Sequence, residues 1–339
     1  MCRRSQPRLP STEARSYSTP SSRSMRSATR FSLGIAGVAD PRPRFGVCWP
    51  LVFTIVCWGF NFVALKVLFR EMPPDGVLLV RTVIMYVLLV LFCVRAGESL
   101  AYPKGQALPI LSIGAISMGL YMILFFEGMD RTGGTEGAII LATSPVMTAL
   151  LAVLFRQDKF SWGAILGASL AFAGVVLVVT NGEEVGRSSL VGALLIFSSA
   201  FVWALATVLS RPVTIRMSPL RFLTLSMPGS FPIVVAYGIT SVVRTDWPGL
   251  TLEWWLLMLH LSVLAGAIGF VGFFEGVRRI GAANTMLYQY FVPPIAGVCA
   301  YFYLGERITW LDLVGVLIVF AGVYASTRSR LKALTQVGA

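Results

Sequence analysis

Phe126-Glu127-Gly128-Met129-Asp130-Arg131-Thr132-Gly133 and Phe274-Glu275-Gly276-Val277-Arg278-Arg279-Ile280-Gly281 stand 148 positions apart and share five of eight residues. The match runs on without a gap: Pro145 falls on Pro293, Trp162 on Trp310, Gly167 on Gly315, and Phe172-Ala173-Gly174-Val175 on Phe320-Ala321-Gly322-Val323. Over 126–175 against 274–323, 13 of 50 positions are identical. Upstream, a shift of 145 pairs Trp58 with Trp203, Lys66 with Arg211, Met72 with Met217 and Pro74 with Pro219. Gly, Ala and Val matches arise by chance in an apolar chain; charged, Trp and Pro matches in one register do not. The chain is an internal duplication, and the three-residue difference between the shifts fits an insertion in a loop.

Each copy reads as five membrane spans. Runs of about 20 apolar residues cross a hydrocarbon core about 30 Å thick, and ten such runs can be marked: 49–69, 76–94, 108–128, 134–154, 161–180, 189–210, 219–243, 253–277, 282–304 and 310–327. Five is odd, so the second copy enters the membrane from the opposite face. The expected fold is all-α and integral to the membrane, with ten transmembrane helices as two inverted five-helix repeats over 49–180 and 189–327. With the N-terminus in the cytoplasm, the cytoplasmic loops and C-terminal tail (328–339) hold twelve Lys and Arg, from Arg95, Lys104 and Arg156 to Arg328, Arg330 and Lys332. The outer loops hold five: Arg70, Arg131, Arg187, Arg244 and Arg307. That bias places both termini in the cytoplasm. Inverted repeats are a hallmark of secondary transporters, because two similar halves offer two near-equivalent packings.

Composition agrees. Of 339 residues 56% are hydrophobic and 13% charged, with a mean hydropathy of +0.75, against about 25% charged in soluble domains. The net charge of +12 does not mark a nucleic-acid partner: nine of the 28 basic residues lie in the first 48 positions, and most others flank apolar runs. Cys2, Cys48, Cys57, Cys93 and Cys299 are scattered without CxxC spacing, and His260 is a lone histidine, so neither a disulfide framework nor a metal centre is indicated. No cofactor is expected, and no Walker-type phosphate loop occurs. Residues 1–48, rich in Arg and Ser, lack the apolar core of a secretory signal. They read as a disordered cytoplasmic tail, as an over-extended start with Met25 as an internal alternative, or as a transit peptide.

With the repeat in view, the sequence resembles the EamA-type drug/metabolite transporters over about 48–327. The resemblance rests on Trp58-Gly59 with Asn61 in span one and Phe-Glu-Gly ending spans three and eight. Ser144-Pro145 and Val292-Pro293 in spans four and nine, Leu304-Gly305-Glu306 before span ten, and the Phe-Ala-Gly-Val of spans five and ten complete it. It implies export or exchange of small metabolites, often amino acids, by alternating access. The chain departs from the pattern at Phe155-Arg156-Gln157-Asp158, where Leu-Gly-Glu is usual; little effect on transport is expected there.

Several residues are candidates for the work. Proline removes an N–H and clashes with the carbonyl four residues back, breaking a helix, and freed carbonyls at membrane depth must face protein or a wet cavity. Pro145 and Pro293 are repeat partners near mid-span, so a central site is expected between them, with Ser144, Tyr288 and Gln289 as polar contacts. Arg81 lies about 7–8 Å deep in span two at 1.5 Å per residue, where charges usually face a partner or cavity. Trp58, Asn61, Tyr86, Tyr121 and Trp203 are candidates to line a pocket for aromatic or amphipathic substrates, against the commoner role of packing. Lys66 and Glu127 near one face, and Arg211 and Glu275 near the other, read as two charge sets that close alternately, against the simpler role of interfacial charges. Glycines at helical spacing in span five (Gly163, Gly167, Gly174), with Gly315 and Gly322 in span ten, permit close helix contact, within the chain or across a homodimer. A secondary transporter for a small-molecule substrate in the cytoplasmic membrane is the expectation. A channel, a lipid scramblase and a lipid-modifying membrane enzyme are the alternatives, and the last lacks a nucleophile–base set.

Overall fold

The computed structural model describes residues 48–132, 137, 140–180, 190–304 and 310–335. The N-terminal segment, Gly133, the 181–189 loop with Arg187, and Gly305, Glu306 and Arg307 lie outside the described residues. Among the described residues ten helical segments follow one another. These are α1 (Trp49–Glu71), α2 (Pro74–Arg95), α3 (Ala107–Arg131), α4 (Ser144–Leu154), α5 (Trp162–Thr180), α6 (Leu190–Thr214), α7 (Pro219–Gly229 and Phe231–Arg244), α8 (Leu252–Ile280), α9 (Ala282–Leu304, in three pieces) and α10 (Trp310–Thr335). Among the described residues five helices are long and apolar enough to cross a bilayer alone, and bent α7 adds a sixth. The others include the shorter apolar helices Ser144–Leu154, Trp162–Gly174 and Val314–Ser326. The helix α10 does not end at 327 but continues through Arg328 to Thr335.

Local chemistry sets the starts. Pro50, Pro74 and Pro219 occupy the first turns of α1, α2 and α7, where a missing N–H costs nothing. Ser218 and Thr251 cap α7 and α8, each hydroxyl accepting a backbone N–H at 3.2 Å, from Arg221 and Trp254, and so satisfying one orphan donor.

The packing repeats as the sequence does. Helix α1 lies against α8 and α9; its partner α6 lies against α3 and α4. The pairs α2–α7 and α5–α10 each join one helix to its own counterpart. Glycine makes two of these approaches close. A Cβ on Gly167 would strike the Ser326 backbone, and one on Gly322 the Ala171 backbone; Ser326 Oγ donates to the Ala164 carbonyl at 2.9 Å across the same seam. The glycine rows of spans five and ten are thus used on each other within the chain, the first of the two uses the sequence allowed. The outer faces of this pair carry exposed Trp162, Leu166, Trp310, Leu317, Phe320 and Tyr324, apolar side chains suited to lipid.

Besides bent α7, four of the described spans are irregular, in two repeat-related pairs. Helices α4 and α9 break at their prolines: a turn at Ala142–Thr143 precedes Ser144-Pro145, and a 3-10 turn at Tyr288–Phe291 precedes Val292-Pro293. Helices α3 and α8 carry π segments, Ala115–Leu120 and His260–Ile268. The helix starts Ala107 and Leu252 are 145 apart, whereas Phe125-Phe126-Glu127-Gly128 and Phe273-Phe274-Glu275-Gly276 are 148 apart. The three extra residues therefore sit inside α8, whose π segment has nine residues against six in α3, and not in a loop as expected. Inserted residues in a helix are commonly absorbed this way, and π segments frequently mark functional sites.

Candidate functional site

The breaks in α4 and α9 and the π segment of α8 meet around one cavity. Its wall takes Trp58 and Asn61 from α1, Arg81 from α2, Leu141 and Ala142 from the α4 break, and Gln289 and Pro293 from the α9 break. Both repeats contribute. The remainder is largely aromatic: Phe62, Tyr121, Phe125, Phe126 and Phe270.

Arg81 is the charged group of this wall. It is 3% exposed. Its Nε donates to the Leu261 carbonyl at 3.4 Å, Nη1 stands 3.5 Å from Met122 Sδ, and the guanidinium lies 5.5 Å from the Phe270 ring centre. A guanidinium has five N–H donors, and these two bonds are long. None of the ion pairs among the described residues reaches it. The π segment of α8 explains part of the arrangement. Its wider turns release carbonyls from the regular ladder, and Leu261 O goes to Arg81 while Ala265 O accepts from Trp58 Nε1 at 2.9 Å. The two broken helices are joined by Ser144 Oγ, 3.3 Å from Gln289 Oε1. Asn61 Oδ1 is buried without a hydrogen-bond partner.

Six of the residues singled out from sequence, Trp58, Asn61, Arg81, Tyr121, Gln289 and Pro293, come together on the cavity wall. Ser144 stands one bond behind it, through Gln289. The others do not reach it. Pro145 is buried beside Ser144. Trp203, fully buried, forms the layer beneath, stacked on Tyr121 at 4.8 Å and 6.0 Å from Trp58. Tyr86 turns to α7 and packs edge-on against Phe231 at 5.2 Å. Tyr288 reaches the Cys48 backbone at the start of α1. His260 is a structural group, its Nε2 3.2 Å from the Cys57 carbonyl and its ring edge-on to Phe60. Sequence reading passed over Phe125 and Phe270. The first had a signal, since Phe125 and Phe273 extend the repeated Phe-Glu-Gly by one residue.

The charge sets lie away from the cavity. Glu127 pairs with Arg131 of its own helix and accepts from the Tyr237 hydroxyl of α7. Glu275 pairs with Arg278 at 2.8 Å and with Arg279, again on its own helix. Arg211 donates instead to the Gln157 carbonyl at 2.9 Å, and Gln157 Nε2 to the Val208 carbonyl at 2.7 Å. The atypical Phe155-Arg156-Gln157-Asp158 turn therefore clamps the end of α4 to α6. Lys66 is half-buried on α1.

Set beside known proteins, residues 44–180 and 190–328 each match the EamA-like transporter family, so both repeats carry it. The chain belongs to the EamA-like transporter family. Relatives agree. A "Probable terminal-alkyne amino-acid exporter" of Streptantibioticus cattleyicolor is 27% identical, over 84% of this chain and 94% of its own. The "Uncharacterized transporter YyaM" of Bacillus subtilis is 27% identical over 71% and 80%, and an "Uncharacterized transporter" of Archaeoglobus fulgidus 26% over 82% and 96%. A solved crystal structure superposes with a TM-score of 0.70 at 15% identity, over 84% of this chain and 98% of that one, a likeness of fold. This EamA-like chain is a multi-pass membrane transporter of the drug/metabolite type, built as two inverted five-helix repeats.

Proposed function

We propose that the protein exports or exchanges amino-acid-like or amphipathic metabolites across the cytoplasmic membrane, by alternating access around the Arg81 cavity and with both termini in the cytoplasm. The observation that carries this reading is Arg81: a buried guanidinium on a cavity wall, with no carboxylate among the described residues to neutralise it. A charge in hydrocarbon costs several kcal/mol, roughly 2.5–3.5 on insertion scales, and is kept where it meets a ligand or partner. A planar guanidinium fits a carboxylate through two parallel hydrogen bonds. The aromatic wall suits an apolar side chain, and Asn61 and Gln289 supply polar atoms for the rest of a zwitterion. The Streptantibioticus relative, named a probable terminal-alkyne amino-acid exporter, points the same way. Alternating access follows from halves that share one cavity and face opposite sides. The cytoplasmic placement of both termini follows from the twelve-to-five bias in the loops.

The test is efflux from proteoliposomes loaded with radiolabelled amino acids of varied side chain. Saturable, counterflow-competent efflux of apolar or aromatic amino acids is expected, lost when the carboxylate is converted to an amide. Flux that does not saturate would make the protein a channel. Equal flux of acid and amide would remove Arg81 as the carboxylate's partner.

A further inference from the structure

The two repeats are docked differently at equivalent places. Two of the contacts between α1 and α8 bear on the α8 π segment and its end: Thr54 Oγ1 stands 2.8 Å from the Gly269 carbonyl, with the Pro50 carbonyl of its own helix at 2.9 Å, and Trp58 Nε1 donates to the Ala265 carbonyl at 2.9 Å. Helix α6 lies on the α3 π segment as α1 lies on that of α8. By the shift of 145, Ser199 and Trp203 of α6 hold the places of Thr54 and Trp58. Counting back from Phe-Phe-Glu-Gly, Ser117 holds the place of Ala265 and Tyr121 that of Gly269. Neither bond is made there. Ser199 Oγ turns back to the Ile196 carbonyl of its own helix at 2.7 Å. Trp203 Nε1 is buried without a partner, and so is Ser117 Oγ.

An orphan donor and an orphan hydroxyl thus stand where the other repeat has a closed bond. Buried polar atoms are rarely left unpaired, and those that are call for a reason. Trp203 is already close to the segment in question, stacked on Tyr121 at the end of the π segment with rings 24° apart. We propose that Trp203 and Ser117 form the second of two alternating latches. In the present state Trp58 is latched to the α8 π segment. In the opposite state Trp58 lets go and Trp203 Nε1 donates to the Ser117 hydroxyl on the α3 π segment. The two π segments are the receiving sites, because their released backbone and wider turns admit a shift of register that a regular helix resists. The tryptophans act as positioning residues: each holds one packing of the halves and abandons it in the other.

The latch rests on the alternating-access reading above, and one experiment separates the two. Hydrogen–deuterium exchange over residues 260–269 is measured on the full chain in lipid nanodiscs. Trp58→Phe and Thr54→Val remove the present latch, so exchange there should quicken, each by roughly three- to tenfold for one hydrogen bond. Ser117→Ala removes only the competing latch, so exchange in that same segment should slow by a similar factor, and Trp203→Phe, which also trims packing on Tyr121 and Trp58, should slow it in the same direction. Ser117→Ala deletes one hydroxyl and keeps the helix, so it decides the matter if Trp203→Phe fails to fold. Unchanged or faster exchange in Ser117→Ala overturns the latch. If the wild type moves no amino acid from proteoliposomes yet the variants split in this way, the latch stands and the amino-acid export reading falls. If the wild type transports and the variants do not split, the reverse holds.

Discussion

Arg81 in α2 and Ser226 in α7 occupy the same place in the two repeats, and almost nothing else about them agrees. Helix α2 runs unbroken from Pro74 to Arg95 and carries Arg81 into the cavity. Helix α7 passes into a 3-10 turn just after Ser226 and bends by 63° between Gly229 and Phe231, and the Ser226 hydroxyl only returns to the Leu223 carbonyl of its own helix at 3.0 Å. Two glycines bring the first piece of α7 close to α3: a Cβ on Gly114 would strike the Ser226 carbonyl, and one on Gly229 the Leu111 carbonyl. The duplicated pattern thus supplies a symmetric frame of helix contacts, and the chemistry sits where the copies differ. A site built on strict symmetry would hold two guanidiniums; this one holds a guanidinium facing an aromatic wall.

The largest expected effect breaks that contrast directly. Arg81→Ala should lower the efflux rate constant by roughly ten- to a hundred-and-fiftyfold, the worth of hydrogen bonds to a charged group at about 1.5–3 kcal/mol. Arg81→Lys keeps the charge without the fork and should recover only part of it. Ser226→Ala should leave efflux within about threefold of wild type. Equal losses in Arg81→Ala and Ser226→Ala would mean that α2 and α7 contribute only packing.

Next in size is the close seam between α3 and α7. Gly114→Ala sets a methyl against the Ser226 carbonyl, and overpacking of this kind costs about 1–3 kcal/mol. A lower thermal midpoint in detergent is expected, whereas Gly97→Ala should not produce a clash, because a Cβ there meets no atom within 4 Å. Gly97 has a φ of +68°, so it carries only the smaller penalty of a left-handed residue.

A third comparison uses the two prolines. Both break their helices, yet Pro293 lines the cavity and Pro145 does not. Pro293→Ala should raise the half-saturating substrate concentration several-fold. Pro145→Ala should change thermal stability with little change in that concentration. Efflux titrations on the two variants decide it, and identical profiles would remove Pro293 from the site.

Much of this was legible in the chain. The spans could be read because a bilayer imposes a length on apolar runs, and the repeat because Trp, Pro, Arg and Glu fell in register. Arg81, Asn61 and Gln289 stood out as polar residues in apolar runs, which is costly and so informative. The facing of aromatic residues was not legible. Tyr86 and Trp203 sit in the same sort of run as Trp58, and only helix rotation turns Tyr86 to Phe231 and leaves Trp203 beneath the wall. The π segments left no pattern beyond three surplus residues, which a loop would explain equally well. The pairing of charges was not legible either, since a carboxylate between helices can be held by its own helix or by another.

That last ambiguity sets the smallest prediction. Glu127 and Glu275 are repeat partners, and two alternating charge closures would treat them alike. Their surroundings differ. Glu275 is held by Arg278 and Arg279 of α8 and meets no other helix through these bonds. Glu127 is held by Arg131 of α3 but also takes the Tyr237 hydroxyl of α7, so it ties two helices that must move if the halves rock. Pairs within one helix are worth only a few tenths of a kcal/mol, and they survive any motion of that helix. Glu275→Gln should therefore leave the balance of states as in wild type. Glu127→Gln weakens a tie between helices and should shift the balance toward the outward-open state by about twofold, with Tyr237→Phe doing the same. Reactivity of introduced cysteines toward an impermeant reagent from each side measures both. A shift in Glu275→Gln equal and opposite to that of Glu127→Gln would restore the two-closure scheme. A shift in Glu127→Gln without one in Tyr237→Phe would move the tie from α7 to Arg131 alone.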